Sequence, residues 1–317
     1  MTFYVVTSSI GLALVVLAVL VLRRYGLVKP EDATVINNLL LYLVFPAHIL
    51  HRVMYADLGW EQVRMIVTLL MLCFIDLTLA YAIGRLLRRS RPEIGALMLT
   101  TGFAATAVIA APVLFLLYPD DIERHADLII VSEFGMSLPT LLLAPIIAQL
   151  FGETTEHVPI RKLAGGAVAE YVRSPIFFAL VLAIVVSLFD IHVGEVLGDI
   201  IERALQAASD GGFFLPLVLV GLMLERTSLR GTWIVVAAAV VLQTVVDPIL
   251  TSTLAQLFVL SPNEIDVMMI LTMTPAAVAS LSFARRYNCA PELAATIVFV
   301  SILSIFLMFP LMYAALA

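Results

Sequence analysis

Charged residues are scarce in this sequence. Asp, Glu, Lys and Arg make up 13% of its 317 residues, against roughly 25% in an ordinary soluble domain. Hydrophobic residues make up 62%, and they fall in long runs such as 2–22, 65–84 and 293–316. A helix needs about 20 apolar residues to cross the hydrocarbon of a bilayer. The composition therefore excludes a soluble domain and predicts an all-α integral membrane protein.

Cysteine and nucleotide-binding motifs are also scarce. The two cysteines, Cys73 and Cys289, lie in or beside apolar runs and lack the spacing of a metal site or a disulfide framework. No Gly-x-x-x-x-Gly-Lys stretch occurs, which argues against ATP-driven pumping by this chain. His48 and His51 have a spacing that suits metal ligands, but two histidines make an incomplete site. We expect no cofactor, no bound metal and no nucleic acid partner.

The apolar runs predict ten transmembrane helices. They cover residues 2–22, 33–54, 64–84, 94–118, 127–151, 174–190, 204–225, 231–259, 266–284 and 291–316. Assigning alternate loops to the cytoplasm places every Lys and Arg on that side except Arg52, Arg64, Arg124 and Arg203. By the positive-inside rule, this predicts a multi-pass protein with both termini outside. The expected location is the plasma membrane, which is the inner membrane if the cell is bacterial.

The spans divide into two halves of five. Residues 1–155 form the first predicted repeat, residues 156–173 a cytoplasmic linker loop, and residues 174–317 the second repeat. Because each half has an odd number of spans, the second must be inverted relative to the first, as in many secondary transporters. Three pairs of residues occupy corresponding places in the two halves, and chance is the alternative explanation. These pairs are Pro46 with Pro216, Asp76 with Asp247, and Pro112 with Pro275.

The fourth and ninth spans combine small residues, hydroxyls and proline. Proline removes a backbone donor and interrupts or kinks a helix. If both helices break near the middle of the bilayer, their freed amides and half-helix N-termini face one point and could bind an anion. Ordinary kinked helices, with small residues for packing, are the alternative. The predicted substrate-binding residues are Ala105, Thr106, Pro112, Thr274, Pro275, Ala276, Ala277 and Ser280.

Four acidic residues stand inside or near the ends of the apolar spans. They are Asp76, Glu133, Asp210 and Asp247. An ionised carboxylate in the membrane costs at least about 2.5 kcal/mol, so each is expected to face protein or water. We interpret them as candidate sites of proton or cation coupling, with an interhelical hydrogen bond as the alternative role. Gln243 lies one helical turn before Asp247 and is expected to share its face.

Three segments of the chain have a pattern seen in one known family: Asn38–Ala47, Leu215–Leu224 and, as the most specific, Thr274–Asn288. They resemble the auxin efflux carrier family, which includes plant auxin carriers and bacterial permeases for malate or malonate. The resemblance runs in order along nearly the whole chain. It implies two inverted five-helix repeats with broken, crossing helices four and nine around the substrate. The chain departs from the family where Ala105 replaces a common asparagine, so the substrate does not carry over.

The resemblance and the repeat together predict a secondary active or facilitative carrier of a small carboxylate, such as malate, malonate or an auxin-like acid, working by alternating access. A sodium-coupled transporter like the bile acid symporters, which share the broken-helix plan, is an alternative. An intramembrane aspartyl protease built on Asp76 and Asp247 is another, although neither residue has the sequence setting of such enzymes. We therefore expect a transporter rather than an enzyme. H⁺, Na⁺ or no coupling ion, and a monomer or a homodimer, stay open.

Overall fold

The computed structural model describes residues 2–153, 158–189, 191, 194–224 and 231–316. The described chain is helical, and it contains no β-strand in these ranges. In chain order the helices are α1 (Thr2–Arg24), α2 (Ala33–Leu39), α3 (Phe45–Val53), α4 (Trp60–Leu86), α5 (Arg91–Thr101), α6 (Ala111–Leu117), α7 (Ile122–Ser132), α8 (Leu138–Phe151), α9 (Ile160–Val172), α10 (Pro175–Leu188), α11 (Glu195–Ser209), α12 (Gly211–Met223), α13 (Trp233–Val241), α14 (Asp247–Leu257), α15 (Pro262–Thr272), α16 (Val278–Arg286) and α17 (Pro291–Leu316).

Several of these helices join into membrane spans. Within the described residues, five helical stretches are long and apolar enough to cross a bilayer: Pro30–Val53, Trp60–Leu86, Ile122–Phe151, Leu197–Met223 and Trp233–Leu257. Helices α9 and α10, which meet at 60°, make a sixth if they count as one broken span. Val108–Leu117 and Pro291–Ser304 are shorter apolar helices. The prediction of an all-helical, multi-pass membrane protein is confirmed, whereas the ten-span inverted repeat stays a prediction.

Four spans contain a short π-helical stretch just ahead of a proline. The stretches are Leu40–Val44, Thr106–Ala110, Glu133–Ser137 and Leu242–Val246. Each ends two residues before Pro46, Pro112, Pro139 or Pro248. Proline has no N–H and its ring clashes with the carbonyl four residues back, so the wider π turn lets the helix continue past it. These prolines therefore lie inside continuous helical stretches rather than ending them.

The segment between the two predicted repeats differs from expectation. Of the predicted loop 156–173, the stretch Ile160–Val172 is the helix α9, while 154–157 lie outside the described residues. Exposed apolar residues such as Ile160 and Val168 stand on it beside Arg161 and Arg173. This mixture of apolar and basic residues is typical of a helix at a membrane surface. Helix α9 has only 13 residues, so a search of the sequence for membrane spans does not detect it.

The core surrounds α4 and α5. Its largest cluster of buried side chains takes residues from α4, α5, α6, α7, α8, α13, α14, α15, α16 and α17. A smaller cluster joins α1 to α12, and the Arg23 guanidinium at the end of α1 donates to the carbonyls of Gly221 and Leu224, at 2.9 and 2.7 Å. A third cluster lies between α3, α7 and α10. These clusters hold two interrupted helices against each other at the centre.

Candidate functional site at the helix crossing

Two helices are interrupted where they pass each other. The first break separates α5 from the helical stretch that begins at Thr106, and the second separates α15 from α16. In the breaks, Ala104 and Ala276 form an isolated antiparallel β-bridge. Two stretches of extended backbone thus cross in the interior, with a helix ending and another beginning on each side of the crossing.

Reciprocal hydrogen bonds hold the crossing together. The amide of Ala105 donates to the carbonyl of Pro275 at 2.8 Å, and the amide of Ala277 donates to the carbonyl of Phe103 at 2.9 Å. These bonds satisfy backbone groups that would otherwise be unpaired in a buried, lipid-embedded setting. Alanine stands on both sides of the bridge, at Ala104 and Ala276.

Helices begin at the crossing on both sides. The first amides of a helix have no acceptor within it and carry the positive end of the helix dipole. The stretch that begins at Thr106 and the helix that begins at Val278 both start within three residues of the bridge. An anion placed beside the crossing would therefore meet two helix N-termini, which is the geometry proteins commonly use to bind carboxylate or phosphate.

Hydroxyl groups line the crossing. Thr106 and Ser280, both buried, differ in their partners. Ser132 Oγ lies 2.5 Å from Thr106 Oγ1, whereas Ser280 Oγ is buried without a hydrogen-bond partner. Thr274 Oγ1 donates to the carbonyl of Leu271 at 2.8 Å. Of the predicted hydroxyl residues, Ser280 is thus the one whose hydroxyl is free to bond a substrate. The Thr274 hydroxyl already donates to the end of its own helix.

Pro112 does not make the break, although the sequence reasoning took it as the interrupting residue. The helix restarts at Thr106, six residues earlier, and Pro112 sits in the first turn of α6. The π turn of Thr106–Ala110 accommodates the proline ring. Pro275, in contrast, lies within the second break itself, and its carbonyl accepts the bond from Ala105. The two prolines therefore have different roles.

Asp76 and Asp247 meet in the interior. Asp76 belongs to α4 and Asp247 begins α14; they are 5% and 4% exposed, and each carboxyl group is a close electrostatic neighbour of the other. For two neighbouring ionised carboxylates, a separation of about 4 Å corresponds to a repulsion of about 4 kcal/mol at an effective dielectric constant of about 20. A shared proton removes this repulsion, so the pair can change its charge by binding or releasing one proton or cation.

Polar neighbours connect this aspartate pair to both breaks. Gln243 Nε2 donates to the carbonyl of Thr100, near the end of α5, at 2.6 Å. Thr251 Oγ1 lies 2.7 Å from the carbonyl of Asp247 and 3.0 Å from Thr272 Oγ1, at the end of α15. Gln243 and Thr251 therefore link the span that contains Asp247 to the ends of α5 and α15.

A narrow cavity lies on the other side of the restarted helix. One wall comes from α3 and α12 and the other from α6 and α7, and the volume is about 30 Å³, enough for about two water molecules. The lining residues are Phe45, His48, Ile49, Ala111, Phe115, Leu128, Ile129, Ser132, Glu133 and Gly212. Ser132 belongs to this lining and also contacts Thr106, so the cavity adjoins the crossing.

Comparison with known proteins identifies the family. A family model described as "Membrane transport protein" matches residues 4–313. The chain belongs to this family. It is the auxin efflux carrier-like family of membrane transport proteins, so the resemblance noted in the sequence is confirmed. An uncharacterized transporter of Methanocaldococcus jannaschii is 22% identical over 300 residues, covering 90% of this chain and 93% of that protein.

Within this membrane transport protein, the four predicted acidic residues separate into three locations. Asp76 and Asp247 pair with each other, while Glu133 lines the cavity beside Ser132. Asp210 is exposed at the one-residue junction between α11 and α12. The sequence placed all four near apolar spans but could not distinguish a buried pair from an exposed junction.

The histidines of the third helix do not form a metal site in the described residues, since no group of three or more metal-binding side chains was found there. His48 Nδ1 lies 2.5 Å from Ser209 Oγ, and its ring packs on Phe115 with centroids 4.4 Å apart. The sequence pointed to His48 only through its spacing from His51 and did not single out Ser132 or Phe115. Ser132 and Phe115 lie in apolar helical stretches. The sequence of such a stretch does not distinguish a residue that lines a cavity from one that packs in the core.

Proposed function

We propose that this membrane transport protein is a secondary transporter that carries a small organic anion by alternating access, with the carboxylate bound where the two breaks cross. The observation that carries the proposal is the Ala104–Ala276 bridge between two interrupted helices. It brings two helix N-termini to one buried place, and this offers positive dipole ends to a carboxylate without a Lys or Arg side chain.

The proposal includes an inverted five-helix repeat. The reciprocal bonds at the bridge relate the two breaks by a local two-fold axis, as an antiparallel pair requires. Asp76 and Asp247, from corresponding places in the two halves, also meet each other. Residues near a two-fold axis meet their own counterparts, so both pairs support this repeat. We also propose, from the distribution of basic residues, a plasma membrane location with both termini outside.

The aspartate pair is the proposed coupling site. It lies near the ends of α5 and α15, which Gln243 and Thr251 contact. Binding of a proton or a cation there would favour one arrangement of the breaks over the other. Sodium and protons are both compatible with two carboxylates, so we leave the ion to experiment. A protease would use the same pair, but the membership in a membrane transport family supports transport.

The experiment is uptake by purified protein in proteoliposomes. Radiolabelled mono- and dicarboxylates, including malate and malonate, are offered under an imposed proton gradient, an imposed sodium gradient or none. Saturable uptake of a carboxylate, driven by one of these gradients or by its own, is the expected result. Variants Thr106→Val and Ser280→Ala, which remove hydroxyls at the crossing, should raise KM. Folded wild-type protein that moves no carboxylate under any gradient would overturn the proposal.

A further inference from the structure

The cavity between α3 and α7 contains two polar groups with unmet bonding capacity. Glu133 is 7% exposed and His48 is 5% exposed, and they line the cavity from different helices. The Glu133 carboxylate accepts from Ser137 Oγ at 3.3 Å and from the Tyr171 hydroxyl at 3.5 Å. Both distances exceed the 2.5–3.0 Å that is usual for O–H···O bonds. Glu133 is therefore weakly satisfied.

No positive side chain neutralises Glu133 within the described part of the chain. It takes part in none of the ion pairs there, and the cavity lining contains no Lys or Arg. A buried carboxylate without a counter-ion is costly. A cation or a strong hydrogen-bond donor that enters the cavity would supply a partner for this carboxylate.

His48 also lines the cavity and carries a second buried group without a hydrogen-bond partner. Its Nδ1 is occupied by Ser209 Oγ, while its Nε2 is buried and has no hydrogen-bond partner. If Nδ1 donates to the serine, Nε2 is an acceptor. A carboxylate and an imidazole acceptor facing one small space match an ammonium group, which has three donors and a positive charge.

The rest of the lining fits an apolar side chain. Phe45, Ile49, Phe115, Leu128 and Ile129 surround the two polar groups. Ser132 connects this cavity to the crossing, because it lines the cavity and its Oγ lies 2.5 Å from Thr106 Oγ1. The anion site at the crossing and the Glu133 site are thus neighbours, as the carboxylate and the amine of an α-amino acid are.

Resting on the proposed function, we propose that the cargo is an apolar α-amino acid, whose carboxylate binds at the helix crossing and whose ammonium binds Glu133 and His48. The cavity volume of about 30 Å³ is too small for such a cargo. The α3 and α12 wall must therefore separate from the α6 and α7 wall for it to enter, which alternating access provides.

Three compounds with one carbon skeleton test the proposal in proteoliposomes: L-leucine, 2-hydroxy-4-methylpentanoate and 4-methylpentanoate. They differ only in carrying an amine, a hydroxyl or hydrogen beside the carboxylate. For wild-type protein, kcat/KM for leucine should exceed that for 4-methylpentanoate at least about tenfold, since a buried charge pair contributes that much or more. Glu133→Gln should reduce this ratio at least about tenfold.

Asp127→Asn is the matched control. Asp127 lies on the same helix as Glu133, but its carboxylate accepts from Gln62 at 2.6 Å and does not line the cavity. The control should keep the wild-type preference for leucine. Glu133→Asp, which keeps the charge, guards against misfolding of the glutamine variant and should retain the preference with a higher KM. Scintillation proximity binding of radiolabelled leucine gives a second readout.

The outcomes separate this inference from the proposed function. Saturable uptake of 4-methylpentanoate equal to or better than that of leucine would overturn the amino-acid assignment and leave a carboxylate transporter. A leucine preference that survives in Glu133→Gln would remove Glu133 from cargo binding. Loss of proton dependence in Glu133→Gln, with the preference intact, would make Glu133 a proton carrier instead. Absence of uptake for every carboxylate would instead defeat the proposed function.

Discussion

Gly102 tests how tightly the first break packs on the helix that carries Asp76. It follows α5, with φ −74° and ψ −13°, which any residue adopts without strain. A Cβ added there would lie 2.8 Å from Leu77 Cγ, closer still to Leu77 Cδ2, and 3.0 Å from the Met98 carbonyl oxygen. Comfortable contacts between carbon atoms begin at about 3.5 Å, so Gly102→Ala requires Leu77 to move.

The steric cost decides the sign of the effect. Replacing glycine by alanine at an unstrained position stabilises a protein by about 0.4–1 kcal/mol, whereas overpacking a core costs about 1–3 kcal/mol. Leu77 is 8% exposed and belongs to the main core cluster, so it has little space to turn into. We expect a net loss, which corresponds to an apparent melting temperature lower by about 2–5 °C. The displaced residue adjoins Asp76, so uptake should slow as well.

Scanning fluorimetry of detergent-purified protein measures the effect. Gly165→Ala is the control, because Gly165 lies in α9 and an added Cβ meets nothing within 4 Å. Alanine is favoured over glycine in a helix by up to about 1 kcal/mol, so the control should melt at or slightly above the wild-type temperature. If Gly102→Ala is as stable and as active as Gly165→Ala, the close packing of the break on α4 is refuted.

Three further predictions concern coupling, the breaks and the thiols. Asp247→Asn should flatten the dependence of uptake on pH or cation gradient, because one carboxyl can no longer share a proton with Asp76; an unchanged dependence would remove Asp247 from coupling. Pro275→Ala should slow turnover by letting the helix continue through the break, and wild-type rates would argue against a role for the interruption. Burial raises the pKa of the Cys289 thiol to about 12, so maleimide should label it near pH 7 only after denaturation; rapid labelling of folded protein would contradict its buried position.

The sequence predicted those parts of the fold that depend on local composition. Long apolar runs give helices because the bilayer offers no other partner for backbone groups. The motif around Thr274–Pro275 lies within the second break, since proline and small residues act locally on the helix that contains them. The family resemblance also came from local motifs and is confirmed over residues 4–313.

The parts that the sequence missed depend on long-range packing. Asp76 and Asp247 meet only because α4 and α14 pack together, although each looked like an isolated acid along the chain. His48 and Ser132 line the same cavity although they are far apart in the sequence, so the sequence alone does not bring them together. The sequence suggested that Pro112 interrupts its helix. The π turn ahead of this proline lets the helix continue past it, and such a turn has no clear sequence signal.

Alkylation of a cysteine at the crossing is the most direct test of the central claim that a carboxylate binds there during transport. Ala105 is 7% exposed, and its amide bonds to the second break. If Cys73 and Cys289 are unreactive in the folded protein, Ala105→Cys provides one thiol that becomes reactive when alternating access opens the crossing to water. We predict that alkylation of this variant in proteoliposomes blocks uptake and that a transported carboxylate slows the alkylation. Uptake that continues after complete alkylation, or alkylation that a saturating substrate does not slow, would contradict the account.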